Sequence, residues 1–143
     1  MPLVVVLASG SEVVSLEPLK GMTTLQSITL RGTRVTDLSP LDGLELTAVD
    51  VSGAPITDVS PLVELPLTEL QLSGCEQLRD VAPLVECRTL ERLTVPVKAK
   101  GIEALRDHPK LKKLAYQLPG AADWSSVPTI TEFWKAYDAR RNR

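Results

Sequence analysis

Aromatic residues are scarce in this 143-residue sequence, which holds two Trp, two Tyr and one Phe. All five (Tyr116, Trp124, Phe133, Trp134 and Tyr137) lie beyond Ala115, so any core before that point must be aliphatic. Only two cysteines are present, too few for a disulfide-rich scaffold or a four-cysteine zinc site. The sequence has no CxxC, HExxH, GxGxxG or P-loop, so no cofactor is expected. Long apolar runs are also missing. The longest near the N terminus, residues 3–8, has no positive flank and is too short for a membrane span or a signal peptide. Membrane insertion of this segment is therefore not expected, and the default expectation for location is cytoplasmic.

What the chain does have is leucine, 23 residues of it, within an ordinary balance of 43% hydrophobic and 24% charged residues. That composition suits one folded domain rather than a disordered segment. The formal net charge of −2 conceals a division. Residues 1–80 carry 4 Lys/Arg against 11 Asp/Glu, a formal −7, whereas residues 81–143 carry 12 against 7, a formal +5. Such polarity orients an encounter with a charged partner without identifying it.

Repetition organises the sequence. An L-x-P-L motif places proline at 18, 40, 61 and 83, at intervals of 22, 21 and 22 residues. A second series, LxxLxL, runs Leu25/Ile28/Leu30, Leu46/Val49/Val51, Leu67/Leu70/Leu72, Leu90/Leu93/Val95 and Leu111/Leu114/Tyr116, with Leu3/Val6/Ala8 in phase as a degenerate first copy. Glycine recurs at 10, 32, 53 and 74.

Each part of this pattern has a physical reading. In the LxL portion, alternate side chains of a short strand point to opposite sides, so the last two apolar residues of each triplet stack into one core. Glycine after the strand permits a turn with positive φ. Ser15, Asp37, Asp58 and Asp80 are placed to cap the short helical or 3₁₀ segment that begins at L-x-P-L, where proline is tolerated because first-turn amides have no intrahelical partner. A single repeat cannot bury its own apolar face, but stacked repeats bury one another's. The expectation is an α/β solenoid, a right-handed superhelix of about six short parallel strands, with a ladder about 25 Å long.

These motifs resemble the 22-residue bacterial leucine-rich repeat of internalin-like proteins. The strings at 32–41 (GTRVTDLSPL) and 132–138 (EFWKAYD) are similar to repeat arrays associated with bacterial serine/threonine protein kinases. The sequence departs from many such repeats in one respect. The asparagine common after the strand is replaced by Thr33, Ala54 and Cys75, so the turn must be held by glycine, threonine and backbone bonds.

The organisation read from the sequence is a solenoid over 1–116, a loop over 117–128 and a C-terminal capping helix with a basic tail over 129–143. Thr129 and Glu132 have capping-box spacing, while Ile130, Phe133, Trp134 and Tyr137 share a helical stripe. Arg140, Arg141 and Arg143 are expected to trail into solvent. The N-terminal end shows no comparable cap. Val4, Val5 and Leu7 put apolar groups opposite Val6, an edge to be met by a partner or by further repeats before Met1.

Several residues invite chemical readings. His108 falls at the repeat position of Met22, Leu44, Leu65 and Cys87, which makes it a spacer rather than an acid or base. Cys75 and Cys87 read as small core residues. Asp37, Asp58 and Asp80 read as caps rather than a metal ladder, so no metal site is expected. Lys98, Lys100, Arg106, Lys110, Lys112 and Lys113 lack interleaved aromatics and read as a solvated basic face, not a nucleic-acid site.

The remaining surface with positional logic is the concave face, formed by strand residues that alternate with the core. Its candidate binding residues are Thr29, Arg31, Asp50, Glu69, Gln71, Arg92 and Lys113, acidic in the middle and basic toward the C-terminal end. No aromatic anchor lies on it. Repeats of this class imply a non-enzymatic module that binds an as yet unidentified protein through that face. The alternatives are a detached regulatory or sensory segment of a kinase-like protein and, behind it, a hydrolase or transferase using His108.

Overall fold

A computed structural model of the chain describes residues 5–10, 12–118 and 123–142. Six three-residue strands form one sheet in sequence order: β1 (Val5–Leu7), β2 (Ser27–Thr29), β3 (Ala48–Asp50), β4 (Glu69–Gln71), β5 (Arg92–Thr94) and β6 (Lys113–Ala115). Every neighbouring pair is parallel, and the register follows the sequence repeat: Val6, Ile28, Val49, Leu70, Leu93 and Leu114 lie abreast. The chain is a leucine-rich-repeat solenoid. Leu3 and Val4, which the sequence places at the start of the first strand, lie outside the described residues, as does Arg143.

The triplet residues behave as their spacing requires. Leu25, Leu46, Leu67 and Leu90 are fully buried, and the second and third triplet residues stack with them into one aliphatic core. Opposite the sheet, 3₁₀ segments begin at Glu17, Ser39, Ser60 and Ala82, each with proline in its first turn. The Asp37, Asp58 and Asp80 carboxylates each accept a bond from the amide two residues on, at 2.9 Å, and Ser15 Oγ does the same at 3.2 Å. They cap from two positions before the first helical residue, one before the N-cap, as Asx and Ser turns. The turn after the strand closes without asparagine: Thr33 Oγ1 donates to the Leu30 carbonyl at 2.8 Å, and the Ala54 and Cys75 amides bond back to Val51 and Leu72.

Gly101 occupies the tightest glycine position. Its φ is +82°, and a Cβ there would lie 2.8 Å from Ala82 and closer still to the Asp80 carboxylate. The crowding arises because Lys100 pairs with the preceding repeat: its amide bonds the Arg79 carbonyl at 2.7 Å and its carbonyl receives the Val81 amide at 3.0 Å.

The two ends of the core are closed differently. A further ladder runs from repeat to repeat beside the strands, with Thr47, Thr68, Glu91 and Lys112 amides bonding Gln26, Thr47, Thr68 and Glu91 carbonyls. At the C-terminal end the Ile130 amide takes the next seat, on the Lys112 carbonyl at 2.8 Å. From there the helix α1 (Ile130–Arg141) lays Phe133 and Trp134 over the last repeat. Its capping box is formed: Thr129 Oγ1 accepts the Glu132 amide at 3.3 Å, and Glu132 Oε2 accepts the Thr129 amide at 2.9 Å. At the other end β1 has no neighbour beyond it among the described residues, and Val5 and Leu7 are 48% and 76% exposed.

Candidate functional site

Register places the candidate residues of the strand face in rows. Thr29, Asp50 and Gln71 lie abreast on β2, β3 and β4, followed by Thr94 and Ala115. Glu69, Arg92 and Lys113 lie abreast on β4, β5 and β6 in the neighbouring row. Arg31 stands two residues beyond Thr29.

This face is less open than alternation alone suggests. Asp50 and Gln71, expected at the surface, are only 7% and 4% exposed, and Thr94 is fully buried. The causes lie in neighbouring repeats. Asp50 Oδ2 sits 3.6 Å from Arg31 Nε, and its Oδ1 accepts the Ser52 amide at 3.0 Å. Thr94 Oγ1 accepts the Leu72 and Ser73 amides at 3.0 and 3.3 Å. Arg92 Nε lies 3.3 Å from Glu69 Oε1. Each of these carboxylates therefore has an arginine beside it, and the acidic-to-basic gradient along the sequence becomes a series of local ion pairs.

The aromatic that the strand residues lack is supplied from outside the repeat. Lys113 pairs with Thr129 in an antiparallel bridge, and its Nζ donates to the Val127 carbonyl at 2.7 Å. That pairing carries residues 123–129 along the strand face, where the Trp124 ring lies 6.0 Å from the Arg92 guanidinium, within cation–π range. Asp123 caps the short turn at Trp124 by accepting the Ser125 amide and hydroxyl, which holds its carboxyl below the usual range. No repeat periodicity places Trp124 there. The only sequence signal is that it stands alone between the last triplet and the helix.

The other candidates have structural duties. His108 Nδ1 accepts the Lys110 and Leu111 amides at 3.1 and 3.0 Å, so the ring hydrogen lies on Nε2 and is donated to the Cys87 carbonyl at 2.7 Å. Both ring nitrogens are occupied by backbone. Cys75 and Cys87 are buried and free. Burial raises the Cys75 thiol to about 11 and pushes Cys87 up as well. The basic cluster is dispersed: Arg106 pairs with Asp138 and lies over Trp134, Lys112 bonds Glu91 at 2.8 Å, and Lys98 lines a different cleft from Lys110. Arg141, expected in solvent, donates to Glu103 at 2.6 Å. Among the described residues no group of three or more His, Cys, Asp and Glu is placed to hold a metal ion, and no helix is long and apolar enough to cross a membrane.

No protein-family model matches the chain, and the search of curated proteins finds no match. Solved structures do match it. Internalin C2 of Listeria monocytogenes is similar over 75% of this chain and 50% of its own, at 27% identity and a TM-score of 0.68. A second Listeria monocytogenes internalin, inlF, is similar over 78% of this chain and 40% of its own, at 24% identity and a TM-score of 0.58. The chain thus spans about half the length of the internalins it matches. Period, register and neighbours agree: this chain has the leucine-rich-repeat solenoid fold of the internalins that it matches.

Proposed function

We propose that the chain is a non-enzymatic protein-interaction module whose partner binds the concave strand face. The observation that carries this reading is the Glu69–Arg92 pair beside Trp124: an aromatic, an arginine and a carboxylate on a rigid ladder, the residue types from which interface anchors are built. Thr29, Arg31 and Lys113 form the surround, while Asp50 and Gln71, nearly buried, add little surface of their own. Because Arg31–Asp50 and Glu69–Arg92 are already paired, the partner offers matched hydrogen bonds and ion pairs rather than one uniform charge. The backbone-bound His108 and the buried thiols favour binding over catalysis. Similarity to kinase-associated arrays at 32–41 and 132–138 supports a second reading, a regulatory segment of a larger protein, which a kinase domain in the neighbouring coding sequence would favour.

The test is affinity capture with the purified chain, followed by measurement of the captured partner's affinity for variants. Exchanging Glu69→Arg and Arg92→Glu together keeps an ion pair but reverses its order, so the fold is preserved while the binding face changes. Affinity should fall at least about tenfold, and Trp124→Ala should do the same. Glu17→Lys with Lys135→Glu, both away from the strands, should leave it unchanged. Equal losses from the two double variants would move the interface off this face.

A further inference from the structure

A cleft of about 170 Å³ opens between the end of β6 and α1, away from the Glu69–Arg92 pair. Its walls are Ala115, Tyr116, Pro128, Phe133 and Ala136, an apolar lining. Two donors without a partner among the described residues belong to its lining. Arg140 pairs with no carboxylate among the described residues, whereas Arg141 beside it is held by Glu103. The Tyr116 hydroxyl likewise has no hydrogen-bond partner among them. Burial pushes that hydroxyl up; the Arg140 charge works against the shift and the Glu103 charge adds to it, so both groups act on Tyr116. The two other polar groups on the rim are engaged: Glu132 caps the Thr129 amide, and the Tyr137 hydroxyl donates to Glu103 at 2.5 Å.

An apolar slot lined also by a guanidinium and a hydroxyl that are unpartnered among the described residues suits a hydrophobic group joined closely to a carboxylate. The volume admits one leucine- or phenylalanine-sized side chain, so the rest of a larger ligand must lie outside. We propose that this cleft receives the C-terminal residue of a polypeptide ending in Leu or Phe, with the side chain against Phe133 and Ala136 and the terminal carboxylate on Arg140 and Tyr116. The site goes beyond the concave-face reading and does not depend on it.

The probes are acetyl-Gly-Ser-Gly-Ser-Phe with a free C-terminal carboxylate, the same peptide as its C-terminal amide, and N-acetylphenylalanine. Each is titrated into the full chain while the Tyr116 and Phe133 ring resonances are followed by NMR. The acid should bind at millimolar concentration or below, and at least about tenfold more tightly than the amide. Arg140→Gln should bring the acid down to the level of the amide. Ala136→Leu, at an exposed helix position, should fill the slot and abolish both without lowering the melting temperature. N-acetylphenylalanine should bind no more tightly than the peptide acid. Equal binding of acid and amide, indifference to Arg140→Gln, or no shift from either peptide at 10 mM, on the order of the weakest useful affinities, would overturn the proposal. Tighter binding of N-acetylphenylalanine would overturn the polypeptide as the source.

Discussion

The Arg106 guanidinium lies 4.2 Å from the centre of the Trp134 ring and also pairs with Asp138, so one side chain of the 3₁₀ segment Ile102–Asp107 is clasped by two residues of the capping helix. Around it Phe133 meets Trp134 edge-on at 5.1 Å, and Tyr116 meets Phe133 at 5.6 Å. Helix and solenoid therefore share one core and should unfold together. Trp134→Ala should cost about 3–5 kcal/mol in denaturant melts, as large aromatic truncations in cores do. Removing residues 129–143 should expose Leu111, Leu114 and Tyr116 and cause aggregation in light scattering. A truncated chain that stayed monomeric with an unchanged midpoint would make the helix an appendage.

Glycine substitution separates backbone strain from crowding. Gly43 and Gly101 both have positive φ, +78° and +82°, but a Cβ at Gly43 meets nothing within 4 Å, whereas one at Gly101 meets Asp80 and Ala82. Gly43→Ala should cost about 1–2 kcal/mol from the left-handed backbone alone. Gly101→Ala should cost about 1–3 kcal/mol more, because the Lys100 pairing must shift. Equal costs in urea unfolding would mean that the two repeats move apart freely at Gly101.

The cap should loosen in acid. Glu103 accepts from Tyr137 and Arg141, and the Tyr137 hydroxyl bond, the largest cause, holds its carboxyl below the usual range. A group whose pKa is lower in the folded chain contributes stability above its unfolded value, and that contribution is lost as pH falls through the folded one. The cap should therefore weaken below the ordinary carboxylate range, near pH 4. Tryptophan fluorescence should follow the change. Glu103→Gln should flatten its pH dependence, and an unchanged profile would assign the acid response to other carboxylates, among them Asp37, Glu91 and Asp123, which are also held low.

The two thiols should be silent in the folded protein. Cys75 is fully buried, with its thiol near 11 and donating to the Val51 carbonyl at 3.1 Å. At pH 8 neither cysteine should react with an aromatic disulfide reagent over minutes, and both should react at once in denaturant. Fast reaction of one thiol in native buffer would reveal an opening of the core at that repeat.

Much of this architecture is determined by the sequence alone. A strand of three residues and a turn of fixed length recur every 21–23 residues, and this period sets which side chains lie abreast; Leu70 in the core between Val49 and Leu93 follows from counting. The Asp caps and the capping box at Thr129 are equally local, each requiring only bonds within a few residues. Tertiary structure decided what the strand face became. Asp50 and Gln71 occupy the outward positions that alternation assigns, yet burial depends on the side chains of the adjacent repeats, which a period does not specify. Trp124 reaches Arg92 because the non-repeating segment bonds to Lys113, and a segment without a period carries no register to read. The pairing of Arg31 with Asp50 and of Arg92 with Glu69 likewise arises only when strands 21 to 23 residues apart in the chain are brought into contact.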